Sequence, residues 1–184
     1  MSQSGRSRAL VGALLVAACA SSSPTPAPAT AATPAGAPGT TPTAAPAGAK
    51  EALVVIKEID AEPFREDDAF RAKRTALMDW LTKSPDITVV LCQDSLPHLD
   101  ADAHPRDSVL FVQMMFGQAA YQLEHPGISS TDEAVFVSGV ASSVRAYRKL
   151  LALHPEERRA EWDQLDTAER QQSLAPRVKA CLKR

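Results

Sequence analysis

The chain has 184 residues, and its 20 basic and 22 acidic side chains give a formal net charge of −2. From Lys50 onward there are 22 acidic but only 18 basic residues, so this part carries a net charge of −4. Binding driven by phosphate groups needs a concentrated basic surface, and this balance excludes nucleic acid as an expected partner.

The N-terminal residues have the layout of a secretory signal. Arg6 and Arg8 precede an apolar run over residues 9–18 that ends in small side chains. The run is about half of the roughly 20 apolar residues that a helix needs to cross a bilayer, so it cannot span one. Residues 16–19 read VAAC, which resembles the lipobox of bacterial lipoproteins. We therefore predict a lipoprotein signal peptide over residues 1–18.

The resemblance to bacterial lipoproteins implies a lipid anchor on Cys19. It implies cleavage before this cysteine, a thioether bond from its thiol to lipid, and acylation of the new amino terminus. Several acyl chains hold a protein stably in a bilayer, whereas one holds it only marginally. Ala20 stands where an aspartate retains such lipoproteins at the inner membrane, so we expect the outer membrane, facing the periplasm. The alternative is an ordinary signal peptide cut near Ala18 or Ala20.

Residues 19–49 are predicted to be a disordered linker. Beyond Cys19 they are almost only Ala, Pro, Ser, Thr and Gly, with no charge and no large apolar side chain. Such a segment cannot bury enough apolar surface to offset the entropy that ordering would cost. The linker would tether a single folded domain, residues 50–184, to the membrane.

The domain is predicted to be all-α, a helical bundle of about six helices, because apolar residues recur at spacings of three and four. Arg106 to Glu124 is apolar all round, which predicts central burial. Gly117 and Gly139 inside helices predict a close helix crossing. The other predicted helices are Glu66 to Lys83, Ser130 to His154 with a capping box at its start, Pro155 to Gln164, Thr167 to Leu174 capped by Asp166, and Arg177 to Lys183.

The segment after Lys83 fits two structures. Ser84-Pro85-Asp86 is typical of a helix start, with a capping residue followed by proline at the first helical position. Its continuation, Ile87 to Cys92, is rich in β-branched side chains and would fit a strand instead. Helix and strand both stay open for this segment.

Cys92 and Cys181 remain once Cys19 is assigned to the lipid anchor. Export places them in an oxidising compartment, where a lone pair of cysteines is expected to form a disulfide. The alternative is a pair of buried free thiols. A redox-active pair is disfavoured because no Cys-x-x-Cys motif is present.

Residues 98–104 alternate imidazole or carboxylate with apolar side chains. In an extended loop His98, Asp100, Asp102 and His104 would point one way, as a zinc or calcium site requires. Helical ligand spacing is absent and polar loops are rich in these residues, so we predict no metal site and no cofactor. Neither a Gly-x-Ser-x-Gly nor a His-Glu-x-x-His motif occurs, and we predict no catalytic residue.

Three classes of function remain. We favour a lipid-anchored helical module that binds an envelope protein or supports envelope structure. The first alternative is an enzyme whose residues converge only in the fold, in a cleft with paired carboxylates or with His98 and His104. The second is a binder of a small hydrophobic ligand, in a cavity beside Met114 and Met115, although core packing is the commoner use of methionine. Trp80 and Trp162 are expected to pack between helices.

Overall fold

The computed structural model describes residues 45–183, apart from the side chains of Gln93 and Lys183. Within this range the chain is all-α, as predicted, and has no strand. Its six α-helices are α1 (Ala49–Ala61), α2 (Asp68–Lys83), α3 (Asp107–Glu124), α4 (Glu133–Leu153), α5 (Ala160–Arg170) and α6 (Ala175–Val178), and short 3₁₀ turns cover Gln93–Ser95, Pro155–Glu157 and Cys181–Lys183. The predicted signal peptide, Cys19 and most of the predicted linker lie outside the described residues.

Aspartate side chains open two of the long helices. Asp67 Oδ1 accepts a hydrogen bond from Phe70 N at 3.0 Å before α2, and Asp132 Oδ1 accepts one from Ala134 N at 2.8 Å before α4. Each carboxylate satisfies an N–H group that a helix leaves unpaired at its start. The capping box predicted from Ser130 is therefore wrong, because Asp132 takes the capping role.

Helices α3 and α4 run antiparallel at the centre of the bundle. Leu110, early in α3, accepts a hydrogen bond from Ser143 Oγ at 2.8 Å, whereas Gly117, later in α3, faces Gly139, earlier in α4. A Cβ added to Gly117 would lie 2.6 Å from Ser142 Cβ, closer than two carbons can approach. The predicted close crossing at the two glycines is confirmed.

Apolar side chains pack on both sides of α3, which confirms its predicted central burial. On one side, α3 shares an apolar cluster with α4, α5 and α6, made up of Leu110, Met114, Val140, Val144, Leu150, Trp162, Leu165 and Val178 among others. On the other side it shares a second cluster with α1 and α2, made up of Phe116, Ala119, Ile56, Ile59, Leu77 and Leu81 among others. Met115 and Trp80 are half-buried.

The segments after α4 differ from the prediction. One helix, α5, replaces the two predicted at 155–164 and 167–174, because Asp166 does not cap a helix. It lies inside α5, and its carboxylate binds Arg148 on α4. The helix predicted from Arg177 is also wrong, since α6 ends at Val178 and a 3₁₀ turn follows.

Helix α1 was not predicted, although its buried side chains recur at spacings of three and four. They are Ala52, Ile56 and Ile59. The segment at 84–92, for which helix and strand were both open, forms neither a helix nor a strand of a sheet. Its main chain is bonded instead to side chains of α3.

Candidate functional site

A disulfide joins Cys92 to Cys181, as predicted. It links the segment before the first 3₁₀ turn to the C-terminal turn, across 89 residues of sequence. Both cysteines are buried, and they lie in the same apolar cluster as Met114 and Val178. The bridge therefore holds the short C-terminal helix α6 against the core.

Two glutamine side chains of α3 bind the main chain of residues 87–91. Gln118 Oε1 accepts from Val90 N at 3.1 Å, and Gln118 Nε2 donates to Val90 O at 3.1 Å. Gln122 makes the same pair with Thr88, at 3.2 and 3.0 Å. Pairing of alternate residues through both N–H and C=O is the pattern of an extended strand. We call residues 87–91 the extended segment.

The spacing of the two glutamines explains why this arrangement fits. Four residues of helix rise by about 6 Å, and two residues of extended chain advance by about 6.6 Å. Gln118 and Gln122 are four apart, and their partners Val90 and Thr88 are two apart, in the opposite chain direction. The helix therefore presents its two amides in register with one edge of the extended segment.

The loop over residues 98–104 does not gather His98, Asp100, Asp102 and His104, the four side chains considered as metal ligands. Asp100 Oδ1 accepts from the main-chain N–H groups of Asp102 and Ala103, both at 3.1 Å, and the bond from Ala103 holds the pKa of Asp100 below its ordinary value. His104 Nδ1 lies 3.5 Å from Glu157 Oε2. Among the side chains described, no group of three or more His, Cys, Asp or Glu is placed to hold a metal ion.

A buried ion pair lies next to this loop. Arg159 binds both carboxylate oxygens of Asp107, at 2.5 and 2.9 Å, and Asp107 Oδ2 also accepts from Asp100 N at 2.9 Å. Asp107 is 1% exposed, and the guanidinium of Arg159 lies 5.6 Å from the ring of Trp162. A desolvated pair with this many contacts fixes the loop and the start of α5 to α3.

Tyr147 on α4 completes the contacts around the ion pair. Its hydroxyl accepts from Arg159 N at 2.8 Å, and its ring stacks on that of Trp162 with centroids 5.2 Å apart. Burial raises the pKa of the Tyr147 hydroxyl above its ordinary value. Asp107, Arg159 and Tyr147 thus bind one another in a structural network, in which Arg159 Nε and Trp162 Nε1 are buried without a hydrogen-bond partner among the described residues.

An open apolar groove of about 540 Å³ lies where the end of α1 meets the end of α4. Its apolar lining comes from Ala61, Pro63, Phe64, Ala152 and Leu153. Leu153 is 63% exposed, more than any other large apolar side chain of the described residues. Apolar side chains of a partner that entered this exposed concavity would be withdrawn from water.

The polar side chains that line the groove already have partners in the domain. Lys149 Nζ donates to main-chain oxygens at the end of α1, including Ala61 O at 2.9 Å. Arg65 binds the carboxylates of Glu62 and Asp67, and its bonds to Asp67 and Glu62 raise its pKa above the ordinary value. The groove therefore offers an apolar floor and no unpaired charge.

Sequence reasoning missed both the groove and the glutamine pairs. The groove joins residues about 90 positions apart in sequence, and no local sequence pattern predicts that they lie close together in the fold. A signal for the glutamine pairs was present, because Gln118 and Gln122, like Gln113 before them, interrupt a mostly apolar helix, and these two lie at a spacing of four. Buried amides need hydrogen-bond partners, so these residues could have indicated a polar main chain packed on α3.

The lipid anchor predicted at Cys19 lies outside the part of the chain that the structure covers. In residues 45–183, no helix has the length and apolarity needed to cross a membrane. No protein-family model matches the chain, and no curated protein and no solved structure matches it either.

Proposed function

We propose that the chain is a lipoprotein of the bacterial cell envelope whose helical domain binds a protein partner through the groove at Leu153. The groove is the observation that carries the proposal. Its floor is apolar and its polar rim is internally paired, so its ligand is expected to contribute apolar side chains and no essential charge. Burial of apolar area contributes about 25 cal/mol per Å², so a few inserted side chains would supply useful affinity.

The openness of the groove favours a protein over a small hydrophobic ligand. Pockets for small molecules enclose most of the ligand surface, whereas this groove is open along one side. Met114, which would have lined the alternative internal site, is 1% exposed, and its sulfur lies 3.6 Å from Ser95 Oγ. It is used in packing.

The position of the groove suits a tethered module. The preceding chain joins α1 at Gly48, and the groove begins at Ala61, the last residue of α1. A helix of 13 residues is about 20 Å long, so the two points lie at opposite ends of α1. The point at which the preceding chain joins the domain is therefore separate from the groove.

Two experiments test the proposal. Membrane fractionation tests the anchor: a Cys19→Ser variant should leave the membrane fraction after a high-salt wash, while a Ser21→Ala control stays with it.

Photo-crosslinking in cells tests the groove. A photoreactive side chain at Leu153 should give a discrete crosslinked band. The same group at Val54, which is exposed on α1 outside the groove, should not give this band. Equal labelling from both positions would contradict the proposal.

A further inference from the structure

The outer edge of the extended segment has main-chain groups without partners. Thr88 and Val90 turn their N–H and C=O toward α3, so in an extended chain the residues between and beside them turn theirs the other way. The N–H and C=O of Ile87, Val89 and Leu91 bond to none of the described residues. Main-chain groups left unpaired in a folded protein face solvent, because burying them without a partner is costly.

We infer that this outer edge binds an extended segment of a partner protein by strand addition, with Val89 and Leu91 supplying the main-chain hydrogen bonds. Open edges of this kind are the templates onto which extended peptides add. In this domain the edge is rigid, since the opposite edge is fixed by Gln118 and Gln122 and the following residue, Cys92, is fixed by the disulfide. A rigid edge loses little conformational entropy on binding.

The side chains around the edge fit an apolar extended peptide. Leu91 is 55% exposed, whereas Val89 is half-buried because its side chain packs against the apolar cluster that contains Ile87 and Phe116. A pocket lies at each end of the segment. One, of about 260 Å³, is lined by Ile87 and Trp80, and the other, of about 220 Å³, is lined by Cys92 and Phe111. Main-chain bonds would give affinity, and side chains placed near these pockets would give specificity.

The size of the edge favours a peptide over a second copy of the chain. Five residues of extended chain span about 17 Å. A stable interface between two folded copies buries about 800 Å² on each. This short edge would contribute only a few hydrogen bonds to such an interface. The inference deepens the proposed function, on which it rests for the partner being a protein, but it uses a surface that shares no lining residue with the groove.

The test uses the domain with its disulfide intact and a random peptide library displayed on phage as the probe. Hydrogen exchange by NMR comes first: in the free domain the amides of Thr88 and Val90 should be protected, and those of Val89 and Leu91 should exchange freely. A selected peptide should protect Val89 and Leu91. N-methylation of one alternate set of its residues should weaken binding tenfold or more, whereas N-methylation of the other set should not.

Three results would overturn the inference. They are recovery of no peptide, selected peptides that leave the Val89 and Leu91 amides unprotected, and protection of those amides by concentration alone, which would mean pairing between two copies. Peptides that bind only at Leu153 would remove the edge as a site and leave the proposed function standing. If no crosslink formed from Leu153 but selected peptides still protected the Val89 and Leu91 amides, the groove would be removed as a site and the edge would stand.

Discussion

Gln118 binds Val90 as another strand would, accepting from its N–H and donating to its C=O, both at 3.1 Å. Gln118 is fully buried and Val90 is half-buried. The pair therefore satisfies main-chain groups that an all-α core has no other means to satisfy.

Replacing Gln118 by Met should destabilise the domain. The side chains are similar in volume, but the substitution leaves the N–H and C=O of Val90 without a partner, at a cost of about 1–3 kcal/mol in unfolding free energy. Urea denaturation measures this, with Gln164→Met on the exposed face of α5 as the control, expected within about 0.5 kcal/mol of wild type. Equal stability of the two variants would mean that the amide pair contributes nothing.

Reducing the disulfide should lower stability strongly. Opening a loop of 89 residues between Cys92 and Cys181 restores entropy to the unfolded chain worth about 4.6 kcal/mol. The denaturation midpoint with and without reductant measures the effect, and a Cys92→Ala, Cys181→Ala variant should match the reduced protein.

Mass spectrometry tests directly whether the bridge forms. Non-reduced peptides from exported protein should show the two cysteines joined. Free, alkylatable thiols in the folded exported domain would contradict the bridge.

Gly139→Ala should destabilise, although alanine is the better helix former by about 1 kcal/mol. The added Cβ would lie 2.8 Å from Gln118 Cγ and 2.9 Å from Met114 O, and the second of these is main chain that cannot easily move. Overpacking of this kind costs about 1–3 kcal/mol. A thermal melt gives the sign directly, and a raised melting temperature would show that α3 and α4 do not cross this closely.

Asp107→Asn should cost far more than the same change at an exposed pair. It leaves the guanidinium of Arg159, only 13% exposed, without its counter-charge, which costs about 3–5 kcal/mol. The control is Asp68→Asn, whose partner Arg71 is 62% exposed, and there the loss should stay below about 1 kcal/mol. If chemical denaturation gave both variants the same stability, the buried pair would not be the structural link described.

The sequence was sufficient for features that depend on local pattern. The predicted span of α3, Arg106 to Glu124, starts one residue before the observed helix and ends at the same residue. The disulfide was predicted from the number of cysteines together with the expectation that the chain is exported. The all-α class followed from the spacing of apolar residues.

Features that depend on contacts between residues far apart in sequence could not be predicted from local sequence patterns. Ile87 to Cys92 fits a helix or a strand locally, and its actual conformation is decided by side chains about 30 residues later, Gln118 and Gln122. Asp166 fits a helix cap locally, but its carboxylate binds Arg148 on another helix. In each case a non-local hydrogen bond outweighs a local propensity that is worth about 1 kcal/mol or less.

The central claim is that the groove at Leu153 binds the partner. Once the crosslinked protein is identified, its dissociation constant should be measured by calorimetry for the wild-type domain, for Leu153→Gln and for the control Val54→Gln. Both positions are more than half exposed, so both variants should fold normally. The account predicts binding weakened about tenfold or more by Leu153→Gln, because a buried leucine contributes about 1.5–3 kcal/mol, and unchanged by Val54→Gln. Equal affinity of Leu153→Gln and the wild-type domain would contradict it.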